Sequence, residues 1–345
     1  MNGRLGGGVA LRGLLVAAIV AAAGTAVFLT SSGSRSDAAV STTPPAHRAP
    51  QALAAPPVPQ RLPSLTFSPR SSLARLDLRT GKVQPVGVGR FFSVADPSLS
   101  PAGTLAFVGS RCASCAQELE LVHGRKTTSL GQAASIAWID GSTLLASVGH
   151  GEQTDVRLVG SNGRTRELAW LADAAEEMGV EKMTELVVSP DRRLLVFSGE
   201  GNSEHHGNYA AQLRSHRLRP LVGEAADAPS FSPDGRTIAY QQVSRAGDWD
   251  VCLSRISNDA FGPGHCYRSP AGNDREPAFL PGGHAVAFVS DRAARRSGVS
   301  SLYRLDLRTG SVRRLTPAGY DVGTPAVMPG GHRVLFVRRA LVPLR

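Results

Sequence analysis

Pro229-Ser-Phe-Ser-Pro-Asp-Gly-Arg-Thr-Ile-Ala-Tyr240 decides the fold of this chain. A short apolar run enters Ser-Pro-Asp-Gly, and a second apolar run leaves it. Proline presets φ for the first turn position, aspartate caps the turn, and glycine takes the left-handed position. The unit is therefore a β-hairpin. Its second strand is rich in Ile, Val, Ala and Phe or Tyr. That is more apolar than a one-sided strand requires, which predicts burial on both faces between neighbouring sheets.

The unit recurs. Pro97 to Phe107 reads PSLSPAGTLAF, Pro277 to Phe288 reads PAFLPGGHAVAF, and Pro325 to Phe336 reads PAVMPGGHRVLF. Leu186 to Phe197 (LVVSPDRRLLVF) is a looser copy, and Ile136 to Ala146 (IAWIDGSTLLA) has lost the proline. Copies begin roughly every 40 to 50 residues. Two more strands follow each hairpin. Leu73 to Val83 (LARLDLRTGKV) and Leu302 to Val312 (LYRLDLRTGSV) differ only at Ala74/Tyr303 and Lys82/Ser311. Four strands in a repeat of this length mark a propeller blade. The chain opens with a third and fourth strand (72–78 and 82–86) and closes with a first and second (325–328 and 332–338). Five full sets lie between them. The expected fold is all-β: a six-bladed propeller of four-stranded blades, closed by pairing of the N- and C-terminal hairpins. Such closure hides two sheet edges.

The Ser-Pro-Asp-Gly hairpin followed by Ile-Ala-Tyr resembles the TolB-type, WD-like propeller repeat, in the style of actinobacterial envelope propellers. The Leu-Asp-Leu-x-Thr-Gly third strand and Leu-Thr fourth strand are similar to it as well. The resemblance covers residues 64–345 and implies a six-bladed envelope propeller that serves as a binding or scaffolding module. The Gly-His and Trp-Asp marks of WD repeats do not occur. A propeller scaffold does not by itself specify a function.

The N-terminal region differs in kind. Arg4 and Arg12 precede an uncharged apolar stretch, Gly13 to Thr30. As a helix it would be about 27 Å long, close to a bilayer core. The flanking arginines keep the N-terminal end in the cytoplasm. Residues 1–30 therefore read as a signal anchor or as a signal peptide, with Ala21-Ala22-Ala23 and Ser36-Asp37-Ala38 as candidate cleavage sites. Residues 31–63 are rich in Pro, Ala and Ser and read as a disordered spacer. The expected location is the cell membrane, single-pass with the propeller outside the cytoplasm, or secretion after cleavage.

The chain has 345 residues, 42% hydrophobic and 19% charged, with a formal net charge of +10. That is enough apolar surface for a core. Its cations are almost all arginine; only Lys82, Lys126 and Lys182 are lysine. They are scattered, whereas nucleic-acid modules concentrate charge on one element, so no nucleic-acid partner is expected.

The loops from strand 2 to 3, and from strand 4 to the next strand 1, build the face opposite the Ser-Pro turns. Asp96, Asp227, Glu276 and Thr324 stand at or next to the residue before a blade's first proline and should ring the channel mouth there. Asp248, Asp274, Arg275, Asp291 and Arg292 are further channel-face candidates. The acidic groups fit a cation or a basic peptide terminus; equally, they fit hydrogen bonds that orient backbone N–H groups at the strand entry. Glu204, His205 and His206 are weak metal candidates, since adjacent histidines need a third ligand placed by the fold. A solvated polar loop accounts for them as well. The segment 171–184, with Asp173, Glu176, Glu177 and Glu181, reads as an inserted helix and a candidate partner contact. Arg292, Arg295 and Arg296 form a candidate surface for anionic partners.

Cys252 falls in a third strand and Cys266 in the fourth beside it, a placement suited to a disulfide outside the cytoplasm. Cys112 and Cys115 form a Cys-x-x-Cys in a 2–3 loop. No thioredoxin-like pattern surrounds them, and a small structural disulfide is the reading adopted. Gly-x-Ser-x-Gly, P-loop, His-Glu-x-x-His and dinucleotide motifs are all missing, and no cofactor is expected. The sequence thus reads as a non-enzymatic, monomeric, extracytoplasmic propeller that binds an envelope protein or peptide on its channel face. The membrane is its second partner, through the N-terminal helix. The alternative is a channel-face glycan-binding protein, or a hydrolase or lyase acting on cell-wall material.

Overall fold

The computed structural model describes residues 65–343, apart from 125, 151–152, 202–205, 222–225, 258–259, 270–271, 294–298 and 318–319. The apolar stretch 13–30, the spacer 31–63, Glu204, His205, Arg295 and Arg296 lie outside the described residues. No helix among those described is long and apolar enough to cross a membrane.

Six sheets form the propeller. Blade 1 comprises Ser93–Leu99, Leu105–Ser110, Glu118–His123 and Lys126–Gln132. Blade 2 comprises Ser135–Trp138, Thr143–His150, Gln153–Gly160 and Thr165–Glu167. Blade 3 comprises Lys182–Val188, Leu194–Glu200, Gly207–Gln212 and Arg217–Pro220. Blade 4 comprises Ala226–Phe231, Thr237–Val243 and Trp249–Ser257, and its fourth position is split between Ala260–Phe261 and His265–Tyr267. Blade 5 comprises Asp274–Phe279, Ala285–Ser290, Ser301–Asp306 and Val312–Arg314.

Blade 6 joins the two ends of the chain. Tyr320–Val327 and Arg333–Pro343 supply its first two strands, and Leu65–Asp77 and Val83–Pro85 its last two. Leu73 lies opposite Val337 and Leu76 opposite Val334. The two central strands run further than the sequence pattern predicts, because pairing continues past a bulge to Leu65 opposite Pro343.

Each second strand is sandwiched between neighbouring blades, as its apolar composition requires. Leu105–Ser110 and Ala285–Ser290 are buried at every position. The core lies in the seams between blades. Phe107 packs with Leu73 and Leu335 where blade 6 meets blade 1, and Phe336 with Leu280 and Leu302 where blade 5 meets blade 6. Each such side chain contributes about 1.5–3 kcal/mol by leaving water.

The turns follow their side chains. In Ser232-Pro-Asp-Gly235 the serine hydroxyl donates to Asp234 Oδ1 at 2.6 Å and accepts from the Thr237 amide at 2.9 Å. Gly235 sits at φ +68°. Blade 3 builds the same turn with Ser189 and Asp191, but Arg192 takes the left-handed position at φ +60°. The twin Arg-Thr-Gly turns also match. Asp77 Oδ1 accepts from the Arg79 and Thr80 amides at 3.0 Å each, and Asp306 accepts equivalently from Arg308 and Thr309.

One helix, Ala169–Glu177, links blades 2 and 3. It is shorter than the 171–184 expected, because Lys182 onward already forms the inner strand of blade 3. Leu171 and Ala175, four residues apart and so on one face, pack into the seam. Trp170 stacks on His216 with centroids 4.6 Å apart. Asp173, Glu176 and Glu177 face solvent.

Candidate functional site

The inner strands line a central channel, and five of the six share one local distortion. Between Ala95 and Ser98, two residues of the inner strand oppose one residue of its partner, a β-bulge. The same slip occurs at Thr184/Val187, Asp227/Ser230, Arg275/Ala278 and Gly323/Ala326. The skipped partner residue is aromatic each time: Phe107, Phe197, Tyr240, Phe288 and Phe336, all buried. Blade 2 has Ala146 there, opposite Ile136, and no bulge. The first bulge residue takes the left-handed conformation: Asp96 at φ 44°, Glu185 at 53°, Ala228 at 50°, Glu276 at 51° and Thr324 at 44°. Non-glycine residues seldom adopt this conformation, and the twist turns these side chains along the channel wall.

There Asp96, Glu185 and Glu276 each tie one blade to the next, and Ser135, Gln241 and Ser71 serve the remaining seams. Asp96 Oδ2 accepts from the Ile136 amide at 2.6 Å and the Ser135 hydroxyl at 2.8 Å. Ser135 Oγ accepts from the Leu186 amide at 3.0 Å. Glu185 Oε2 accepts from the Ala228 amide at 2.6 Å and from the Ser198 hydroxyl. Ala228 has no hydrogen-bonding side chain to continue the series, and Gln241 Oε1 accepts the Glu276 amide instead, at 2.9 Å. Glu276 Oε2 accepts the Thr324 amide. Ser71 closes the circle, donating to Val94 O at 2.9 Å and accepting from Val94 N at 2.7 Å. Every seam thus carries a side chain-to-backbone bond.

Three carboxylates, Asp96, Glu185 and Glu276, stand on alternate blades in the wall of one narrow bore of about 220 Å³. No cationic side chain among the described residues lines it. Burial pushes the Asp96 carboxyl up to about 6, opposed by its Ile136 and Ser135 bonds and reinforced by the Glu185 charge. Burial raises Glu276 too, the Thr324 amide opposing it. Asp227, beside the ring, is pushed up to about 6 by burial and by Glu185 and Glu200. The Thr324 hydroxyl oxygen is buried with no hydrogen-bond partner.

The bore opens into a far larger mouth of about 980 Å³. Leu99, Ile139, Val188, Phe231 and Met328 line it, rimmed by the Ser-Pro turns. Arg192 is its one cation among the described residues. This mouth lies at the turn end of the blades, the end opposite the one where the sequence places the binding face.

The other sequence candidates sit elsewhere. Asp274 is buried and ion-paired with Arg292, whose guanidinium lies 5.3 Å from the ring centres of both Phe288 and Tyr303. Burial raises the Asp274 carboxyl, and Arg292 opposes it. Asp291 Oδ1 accepts from the Asn273 amide at 2.7 Å. Asp248 is exposed on a turn, its backbone carbonyl accepting from the Ser244 amide. Arg275 flanks Glu276 and lowers its carboxyl. His206 is exposed, and no group of three His, Cys, Asp or Glu among the described residues is placed to hold a metal. Cys252 and Cys266 stand directly opposite in register and are bonded, as are Cys112 and Cys115. Glu185, Ser135, Gln241 and Ser71 escaped sequence reasoning. Glu185 was the one within reach, by aligning Thr184-Glu185-Leu186 with Arg275-Glu276-Pro277.

No family model and no curated protein sequence matches the chain. Among solved structures it is similar to a putative TolB from Agrobacterium tumefaciens, with TM-score 0.62 and 20% identity over 81% of this chain and 100% of that one. It is similar to TolB from Acinetobacter baumannii, with TM-score 0.51 and 12% identity over 80% of this chain and 67% of that one. A gluconolactonase from Xanthomonas campestris aligns with TM-score 0.55 and 13% identity over 82% and 99%. The fold is thus a TolB-type six-bladed propeller.

Proposed function

We propose that this protein is a non-enzymatic, extracytoplasmic binding propeller that takes a polypeptide segment into its channel from the turn side. The segment is apolar with a basic tip. Its apolar part lies against Leu99, Val188, Phe231 and Met328, and a lysine, arginine or terminal amine reaches the Asp96–Glu185–Glu276 ring. Long basic side chains suit such a site, since an apolar stem carries the charged head.

The observation that carries the reading is the continuity of the two cavities. Ser98, Leu99, Leu186, Val187 and Ser230 line both the apolar mouth and the carboxylate bore. Ligand pockets combine such apolar walls with a few convergent polar groups. Ring carboxylates engaged by backbone N–H groups support binding over acid–base chemistry, as does the TolB-type resemblance. The two disulfides support an oxidising compartment. The uncharged apolar run Gly13 to Thr30, preceded by Arg4 and Arg12, supports attachment to the membrane as a signal anchor.

The test is a random-peptide library probed with the full chain. It should enrich a basic residue flanked by apolar ones, and Phe231→Asp or Met328→Asp should reduce retention at least tenfold. Enrichment of acidic sequences, or retention unchanged in both variants, would overturn the reading.

A further inference from the structure

The two disulfides differ in kind. Cys252–Cys266 bridges two paired strands, and Cys252 is fully buried. Cys112–Cys115 closes a loop across only two intervening residues, between the second and third strands of blade 1. Cys115 is exposed, as are Arg111, Ala113, Ser114 and Ala116, while Cys112 is half-buried.

The loop keeps its shape through contacts other than the sulfur bridge. The Ser110 hydroxyl lies 2.7 Å from Cys112 O and 3.0 Å from Cys115 O. The Cys115 amide donates to Cys112 O. Arg111 is fastened to the buried Glu120 carboxylate at 2.7 Å, and its guanidinium lies over Phe91 at 4.7 Å. A bridge across so short a loop removes less freedom from the unfolded chain than one across the longer Cys252–Cys266 loop does. These contacts hold the loop beside the bond, and solvent reaches it.

We propose that Cys112–Cys115 is an exchangeable disulfide whose reaction partner is a dithiol of a thiol-oxidoreductase type. A thiolate of the partner attacks Cys115 Sγ, the exposed sulfur. The Cys112–Cys115 bond breaks, and its electron pair leaves on Cys112 Sγ. The Ser114 hydroxyl oxygen lies 3.7 Å from that sulfur, placed to hydrogen-bond a thiolate there. The partner's second thiolate then attacks its own sulfur in the mixed disulfide and releases Cys115. The partner's two thiols have become a disulfide, and this pair has gained two electrons and the two thiol protons. The reverse sequence reoxidises it. Leaving-group stabilisation and access are what set the rate of such exchange. In Cys252–Cys266 neither sulfur belongs to an exposed residue, Cys252 being fully buried and Cys266 half-buried, so the line of attack is narrower.

The test titrates the folded full chain with dithiothreitol without denaturant, traps free thiols by alkylation and locates them by mass spectrometry. Cys112 and Cys115 should be labelled at reductant concentrations at least tenfold below those that open Cys252–Cys266, with the chain still folded. Opening of both bridges together would overturn the proposal. The order of attack has its own readout. A thioredoxin variant lacking its resolving cysteine, incubated with the intact full chain, should be trapped as a mixed disulfide on Cys115 at least threefold more than on Cys112, as located by mass spectrometry. Equal trapping, or none, would contradict attack at Cys115.

Discussion

The Asp96 carboxylate of blade 1 accepts the backbone N–H of Ile136 in blade 2 at 2.6 Å. It does so inside the channel, where burial lifts its pKa to about 6 from an ordinary 3.8. The folded state therefore holds the proton more tightly than the unfolded chain does. Stability from this group is present below about pH 4 and is lost as pH rises through about 6. The full shift corresponds to about 3 kcal/mol. Asp96→Asn keeps an acceptor oxygen and cannot ionise. Urea midpoints should agree for wild type and variant at pH 4, and the variant should be the more stable at pH 7.5. Parallel profiles would place the proton elsewhere.

Glu185 serves two donors, the Ala228 amide and the Ser198 hydroxyl. Glu185→Ala leaves both without this acceptor and should cost about 1–3 kcal/mol. Glu185→Gln retains an oxygen and should recover most of that loss. Chemical denaturation of the two variants side by side measures the difference.

Arg192 occupies the turn position that Gly235 fills in blade 4, both with positive φ. Arg192→Gly should stabilise by about 1 kcal/mol, because the left-handed conformation strains any residue with a Cβ. Ala228→Gly, at φ 50° in the bulge of blade 4, should act likewise or be neutral. Gly235→Ala should destabilise, since its new Cβ would also stand 3.4 Å from Pro190. Thermal midpoints read all three.

Cys252–Cys266 spans a sequence separation of 14, and Cys112–Cys115 one of 3. Loop-closure entropy assigns the first about 3 kcal/mol and the second about 2 kcal/mol. Cys252, fully buried, also leaves a packing defect when removed. Cys252→Ala with Cys266→Ala should therefore lower the thermal midpoint well beyond Cys112→Ser with Cys115→Ser.

The blade count was legible because proline, aspartate and glycine act locally. Ser232-Pro-Asp-Gly235 makes its turn whatever surrounds it, and the Asp77 and Asp306 turns repeat because their sequences do. The disulfide across blade 4 was legible from strand order. The ring was legible only in part. Asp96 and Glu276 announce themselves before a proline, whereas Glu185 precedes a leucine. Gln241 sits on a second strand and enters the ring only because Ala228 lacks a hydrogen-bonding side chain. The turn-side mouth stayed hidden for another reason. Leu99, Val188, Phe231 and Met328 read as hairpin core, and whether such residues meet a partner strand or a channel depends on six blades closing around an axis.

Which end of the channel receives the ligand decides the account. Hydrogen-exchange mass spectrometry of the full chain, with and without the best-binding library peptide, measures this directly. Protection should gather at residues 98–101, 188–190, 230–233 and 327–329, at the turn end. Protection confined to the 2–3 loops around 111–117, 244–248 and 291–292 would contradict it.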